Sequence, residues 1–378
     1  MGARPTDGKL LLTVNTGSSS VRLDLFEARE AGVAQAVASY HAPLGSSPET
    51  ALREFLHGWE ARALQVIAHR VVHGGARFTA PCLIDSAVEQ EIERLAPLAP
   101  LHNPQALAWM RACRSLCGAQ VPQAAVFDTA FFNVLPDIAH TYALPHALAQ
   151  QHAIRRYGFH GLAHQTMWQR WCALEPQRAG RGRVISLQLG AGCSISAIAD
   201  GVPQDTSMGF SPLEGLVMAT RGGDVDPGVL LYLQRECGMS LAALDHMLSR
   251  ESGLLGLSGV SADMRALLAS GEPRARLAVD LYCYRARKYI GAYLAVLGGA
   301  DAIVFGGGVG EHAPEIRARI LQGLKWAGIA LDTTHNQTAL GSEARISHVN
   351  SPIAVWVLPV NEAAILANEA LALVGAKT

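Results

Sequence analysis

Two short stretches of small residues constrain the fold of this chain more than any other feature. Leu10 to Val14 is apolar, and Asn15-Thr16-Gly17-Ser18-Ser19-Ser20 is a turn without bulk. Val21 to Phe26 then alternates, with Val21, Leu23 and Leu25 on one face and Arg22 and Asp24 on the other. Far downstream, Val184 to Leu189, the turn Gly190-Ala191-Gly192-Cys193 and Ser194 to Ala199 repeat the arrangement. Aligning Gly17 with Gly190 sets an offset of 173 residues and pairs Asn15 with Gln188. Two such hairpins, each opening one half of a 378-residue chain, predict two domains related by duplication.

Strand-like and helix-like segments alternate between and after the hairpins. Val66 to Val72 and Gln123 to Phe127 read as buried strands, and Ala87 to Ala96 as a helix stopped at Pro97. Pro273 to Leu297 carries a long helical pattern. Ala302 to Phe305 is a strand running into Gly306-Gly307-Gly308-Val309-Gly310. Glu315 to Trp326 is an amphipathic helix with Ile316, Ile320 and Leu324 on one side and Gly328 as its stop. Ile353 to Leu358 is the last strand, and Asn361 caps a terminal helix through Val374. Such alternation indicates sheets covered by helices, an α/β protein.

Composition excludes several classes. With 49% hydrophobic and 17% charged side chains the chain has the apolar content for a large core, not that of a disordered or fibrous protein. A net charge of -1 supplies no field to gather nucleic acid or anionic lipid, so neither is expected as a partner. The longest uncharged stretch, Val184 to Ala199, is broken by Gly190, Gly192, Ser194 and Ser196, a poor membrane span. Seven scattered cysteines without a Cys-x-x-Cys pair indicate reduced thiols, and no export signal opens the chain, which points to the cytoplasm. Met1 to Thr6 fits the loose myristoylation pattern, which so short a motif meets by accident.

The chain has no Walker P-loop, no Gly-x-Ser-x-Gly elbow and no His-Glu-x-x-His. Its chemistry must lie in the two hairpins, the glycine run between strand and helix, and arginines set in apolar surroundings. Turns without side chains let backbone N–H groups approach phosphate oxygens closely, and a strand–glycine–helix junction can receive the rest of a nucleotide. Each feature alone is an ordinary tight turn. Together they favour a nucleotide in a cleft between two halves.

Further segments carry a resemblance. Ala68-His69-Arg70-Val71-Val72-His73-Gly74-Gly75, Phe127-Asp128-Thr129-Ala130-Phe131 and Arg155-Arg156-Tyr157-Gly158-Phe159-His160-Gly161 resemble segments of the acetate kinase family. So do Asp205 to Phe210, Pro212 to Gly215, Thr220 to Pro227, Ser252 to Gly256 and Asp263-Met264-Arg265, in the family's order from Asn15 to Glu362. The family belongs to the acetate and sugar kinase/heat-shock protein 70/actin superfamily. The resemblance therefore implies two duplicated actin-like, ribonuclease H-like domains with a nucleotide cleft between them. It sets the first at residues 1–131 plus 364–378 and the second at 132–363.

The reaction it implies is reversible phosphoryl transfer from ATP to acetate, giving acetyl phosphate and ADP, with Mg²⁺ or in its place Mn²⁺, in a homodimer. A carboxylate is a weak nucleophile facing an anionic γ-phosphoryl group, so positioning and charge cancellation are the task. Arg70 and Arg221 match the family's arginines on the carboxylate and the phosphoryl group, where a planar guanidinium offers paired donors. His160 matches the transition-state-stabilising histidine, Asp128 the catalytic aspartate, and Asn15 and Glu362 the positions assigned to the metal. ATP contacts carry over onto Arg22, onto Gln188, Leu189, Gly190, Ala191 and Gly192, onto Asp263, Met264 and Arg265, and onto Gly308, Val309, Gly310, Glu311 and His312. The acid's methyl pocket corresponds to Val72, Leu101, Phe159 and Pro212, with Val72 two residues beyond Arg70 on the same side of its strand. His160 and His164 are also spaced i, i+4, but no acidic or thiol partner marks a metal site there.

The chain departs from the family in places. Arg22 stands for a usual lysine, and Gln188 and Ala191 replace a histidine and an asparagine. His312 replaces another asparagine, Phe132 a histidine and Ala363 a glutamate. These changes bear on ATP affinity more than on the reacting centre. Two other readings stand beside the first: a propionate- or butyrate-type acid kinase, and a non-catalytic ATP-binding regulator, which would not need Arg70 and Arg221 intact.

Overall fold

The structure, a computed structural model, describes residues 9–17, 20–29, 32–43, 45–59 and 64–375. Ser18 and Ser19 of the first turn and the Met1 to Thr6 motif lie outside the described residues. The chain divides into two compact units, Met1–Asn133 with Asn361–Thr378, and Val134–Val360, so Glu362 falls in the first.

In the first unit six strands form one sheet: β1 (Leu10–Thr16), β2 (Ser20–Arg29), β3 (Gly32–Pro43), β4 (Leu64–Val71), β5 (Cys82–Leu83) and β6 (Gln123–Phe127). Their order is β3-β2-β1-β4-β6-β5. The hairpin β1–β2 is antiparallel, with Asn15 opposite Arg22, whereas β1–β4 and β4–β6 are parallel. Leu12, Val14, Leu23 and Leu25 pack against Trp109 and Cys113 of the helix Asn103–Cys117. Each such fully buried side chain contributes about 1.5–3 kcal/mol.

The second unit repeats the plan. Its strands are β7 (Arg183–Leu189), β8 (Cys193–Ala199), β9 (Val202–Thr206), β10 (Ala302–Gly306), β11 (Ala344–Arg345) and β12 (Ala354–Val357). Read from the other edge, their order is β9-β8-β7-β10-β12-β11, the first sheet over again. The β7–β8 and β8–β9 pairs are antiparallel and β7–β10 and β10–β12 parallel, matching the first unit pair by pair. The duplication expected from the twin hairpins is present, in the α/β architecture that the resemblance implies. On one face of β8, Cys193 meets Tyr282 of the helix Pro273–Leu297. On the other, Ser194 faces the helix Gly161–Leu174.

Several local expectations need correction. β4 ends at Val71, so Val72 sits in the bend beyond it and strand alternation does not set its direction. The helix expected over Glu315–Trp326 stops at Leu321, because Gly323 turns to φ +82 before a short 3₁₀ turn at Lys325–Ala327; Ile316, Ile320 and Leu324 are nonetheless all buried. The glycine run, expected to lie between strand and helix, belongs mostly to the helix itself. Gly307 already begins the helix Gly307–His312, at φ +75, where a Cβ would stand 2.7 Å from the Leu189 carbonyl. Asn361 caps the terminal helix Glu362–Gly375 as expected, accepting from the Ala364 N–H at 3.2 Å.

Candidate functional site

In the first unit, the strands β1, β4 and β6 and a helix start bring Asn15, Asp128 and Glu362 around the Arg70 guanidinium. Arg70, on β4, is 8% exposed, and Asp128, one residue past β6, is fully buried. Arg70 Nε donates to both Asp128 oxygens at 3.1 Å and Nη2 to Oδ2 at 2.6 Å. Nη1 donates to Asn15 Oδ1 at 3.1 Å and lies 3.4 Å from Glu362 Oε2, which also accepts from Asn15 Nδ2 at 2.8 Å. Burial works against the Arg70 charge, but Asp128 and Glu362 outweigh it and raise its pKa above the ordinary value.

Two carboxylates around one cation leave surplus negative charge. Together with the oxygens of Asn15 and Glu362, this is a donor set that suits a hard divalent cation. Among the described residues no group of three or more His, Cys, Asp or Glu forms a metal cage. Mg²⁺ needs none where substrate phosphates and waters complete its shell.

The second unit builds a different arrangement. Phe159 is buried and anchors the segment, and His160 follows at φ +58, a left-handed conformation rare for a residue with a Cβ. That backbone starts the helix Gly161–Leu174, and the imidazole makes no cap hydrogen bond to it. His160 Nδ1 instead meets Ser194 Oγ at 2.9 Å. Beside it lies Gly192, where an added Cβ would stand 2.6 Å from Arg221 Nη2 and 3.2 Å from His160 Nε2. Arg221 Nη1 donates to the Pro212 carbonyl at 2.7 Å, and among the described residues Arg221 makes no ion pair. Burial pushes its pKa below the ordinary guanidinium value, the reverse of Arg70. One arginine is saturated by carboxylates. The other faces a bare backbone turn.

The residues expected to contact nucleotide divide. Gln188 and Leu189 end β7, Gly190 to Gly192 form the turn, and Ala191 is exposed. The Gln188 Oε1 is buried without a hydrogen-bond partner among the described residues, while its Nε2 lies against Gly307. Gly308 is exposed, Val309 is partly buried, Gly310 is buried, and His312 is exposed with its ring against Gly341. Glu311 Oε1 accepts from the Gly307 N–H at 2.8 Å and the Val360 N–H at 3.1 Å, so its carboxylate holds its own helix start. Arg22 pairs with Asp24 on the same strand at 2.9 Å. Asp263 caps the helix Met264–Ala269 and pairs with Arg265, whose hydrogen bond takes the Asp263 pKa down to about 2; Met264 is buried. Of the residues expected to line the acid's methyl pocket, Val72 and Phe159 are buried, Pro212 is partly buried and bound to Arg221 through its carbonyl, and Leu101 is 48% exposed.

Ser194 and Ser186 were absent from the expected set. The signal was present in the strands: Gln188 pairs with Ser194 and Ser186 with Ser196, so three buried hydroxyls and a partly buried amide stand in an otherwise apolar sheet. Polar groups at such positions need partners.

Comparison with known proteins agrees with this geometry. A profile of the acetokinase family matches residues 49–368. An acetate kinase of Chloroherpeton thalassium is 49% identical over 311 residues, covering 81% of this chain and 75% of that one. The crystal structure of Porphyromonas gingivalis acetate kinase superposes with a TM-score of 0.86 at 34% identity, over 97% of this chain and 99% of the other. A propionate kinase from Francisella tularensis superposes with a TM-score of 0.87 at 35% identity, over 97% and 100%. Among the described residues no helix is long and apolar enough to cross a membrane. With the twin sheets, the paired hairpins and a profile spanning most of its length, the chain belongs to the acetokinase family.

Proposed function

We propose that this protein is an acetate kinase, transferring the γ-phosphoryl group of ATP directly to acetate in a reversible, in-line displacement. The observation that carries the reading is the surroundings of Gly192: an arginine without an ion pair among the described residues and a histidine ring, both against a glycine of the same turn. Such a place suits an anion whose charge shifts during reaction, where each donor aimed at it contributes about 3 kcal/mol.

Arg221 and His160 stabilise the transferring phosphoryl group, and the backbone of Gly190 to Gly192 accommodates phosphate oxygens. Arg70 holds the acid's carboxylate, and Asp128 orients Arg70 through the contacts given above. Asn15 and Glu362 would hold Mg²⁺, which when bound would supply positive charge to offset that of the phosphates. Val72, Leu101, Phe159 and Pro212 limit the acid's tail. Gln188, with its unpartnered carbonyl oxygen, and Gly308 to His312 lie toward the nucleotide. Asp263 and Arg265, which neutralise each other, contribute through position rather than free charge.

The working form is a homodimer in the cytoplasm. Exposed Tyr232, Leu241 and Tyr284 on helices of the second unit, and seven free cysteines, support that part of the reading.

The test is ATP-dependent acyl phosphate formation, trapped by hydroxylamine, across acids of one to four carbons. Acetate should give the highest kcat/KM, and Arg221→Ala should abolish most of the signal. A higher kcat/KM on propionate would convert the reading to a propionate-type kinase. No acyl phosphate with any acid would leave a nucleotide-binding regulator.

A further inference from the structure

Behind His160 lies a buried run of groups to which the reaction above assigns no role. His164, one helical turn on, is fully buried, with Nδ1 2.7 Å from Ser186 Oγ and Nε2 2.8 Å from Ser194 Oγ. Ser194 Oγ in turn meets His160 Nδ1 at 2.9 Å. The order is Ser186, His164, Ser194, His160, and the first three are sealed from solvent.

We propose that this chain of hydrogen bonds fixes His160 as the neutral ring with its proton on Nε2, making Ser194 and His164 positioning residues for the phosphoryl-facing N–H. The inference rests on the reading of His160 as a donor to the transferring group.

The hydrogens these groups hold fix the direction of the bonds between them. Burial takes the His164 pKa down to about 3, so at neutral pH the ring has one N–H and one lone pair. Ser194 has one hydrogen between two imidazole nitrogens, so it donates to one ring and accepts from the other. The chain therefore has two polarities. In the first, the Ser186 hydroxyl donates to His164 Nδ1, His164 Nε2–H donates to Ser194, and Ser194 donates to His160 Nδ1. A neutral His160 then has its N–H on Nε2, the atom beside Gly192 and Arg221. In the second, every bond reverses, and a neutral His160 offers a lone pair at Nε2.

Two facts select the first. Among the described residues His164 is the partner of the Ser186 hydroxyl, so reversal would leave a buried O–H hydrogen without an acceptor. Reversal would also aim a lone pair at an anion, or else require a second positive charge beside the Arg221 guanidinium. The first polarity supplies the donor without either cost.

The test uses the full-length enzyme. Kinetics of Ser194→Ala, His160→Ala and the double variant are measured, with His164→Leu and His164→Gln as a rescue pair and ¹⁵N-histidine NMR of the unaltered protein at pH 7.5. Ser194→Ala should lower kcat roughly 10- to 100-fold, as losing an orienting partner does, with both KM values within about threefold. Added to His160→Ala it should cost almost nothing more, since it acts through that ring. His164→Gln, whose amide N–H replaces the Nε2 donor, should recover activity that His164→Leu loses. The NMR should show His160 protonated on Nε2 and bare on Nδ1. Additive losses in the double variant, an unslowed Ser194→Ala, or a His160 proton on Nδ1 would overturn the proposal. A near-normal His160→Ala would instead overturn the reading of His160 beneath it.

Discussion

A Cβ on Gly192 would stand 2.6 Å from Nη2 of Arg221, so the guanidinium occupies the space that a side chain at this turn would take. Gly192→Ala must displace that group, whose Nη1 is held by the Pro212 carbonyl. The position has no left-handed backbone to strain, so the fold should survive. Turnover should fall about 100-fold in Gly192→Ala and at least as far in Arg221→Ala, with melting temperatures near the parent's. A kcat for Gly192→Ala within threefold of normal would remove Arg221's placement from the mechanism.

The two arginines should separate in stability as well. Arg70→Met leaves Asp128 buried without its cation and costs about 3–5 kcal/mol, while adding Asp128→Asn restores part of the loss. Arg221→Ala breaks no ion pair among the described residues and should cost about 1 kcal/mol or less. Urea unfolding of the three variants checks this. Equal destabilisation by both arginine substitutions would contradict it.

Buried histidines make stability depend on pH. Burial takes the His164 pKa to about 3 and that of His69, which is bonded to Gln123, to about 4. Unfolded, both return to about 6.5. Between pH 6.5 and 4 the unfolded chain therefore binds more protons than the folded one. Stability should fall as pH falls through that window, by up to about 1.4 kcal/mol per pH unit for each histidine. Above pH 7 the contribution is complete and flat. His69→Gln should be less stable at pH 7.5 yet lose less on moving to pH 5. An unaltered slope would show that His69 does not stay neutral in the fold.

Acid selectivity should respond to Val72. This buried residue lies in the bend that follows β4, past Arg70. A pocket short by one carbon discriminates by about 1–3 kcal/mol, more than the roughly 0.8 kcal/mol an extra methylene would gain if room existed. Val72→Ala should shrink the acetate-over-propionate ratio of kcat/KM roughly tenfold with ATP KM unchanged. An unmoved ratio would exclude Val72 from the pocket wall.

Much of this protein was legible before any coordinates. Gln123–Phe127 and Pro273–Leu297 have the bounds their patterns imply, and Asn361 caps the helix it precedes. The twin hairpins anticipated the repeated sheet. These features depend on turn chemistry, residue period and caps, which act over a few neighbours and are written locally in the chain.

The distribution of charge was not legible in the same way. Arg70 and Arg221 look alike in sequence, each shortly before a pair of glycines. Their difference arises because β4 and β6 pair in parallel register, setting Asp128 against Arg70, while the terminal helix returns Glu362 to Asn15 across 347 residues. No comparable carboxylate returns to Arg221 among the described residues. The same holds for the histidines: their i, i+4 spacing was visible, but the hydroxyl between them comes from a strand 30 residues after His164. Burial and distant pairing set which charges are matched and which proton a ring keeps, and both exist only once the sheets have assembled.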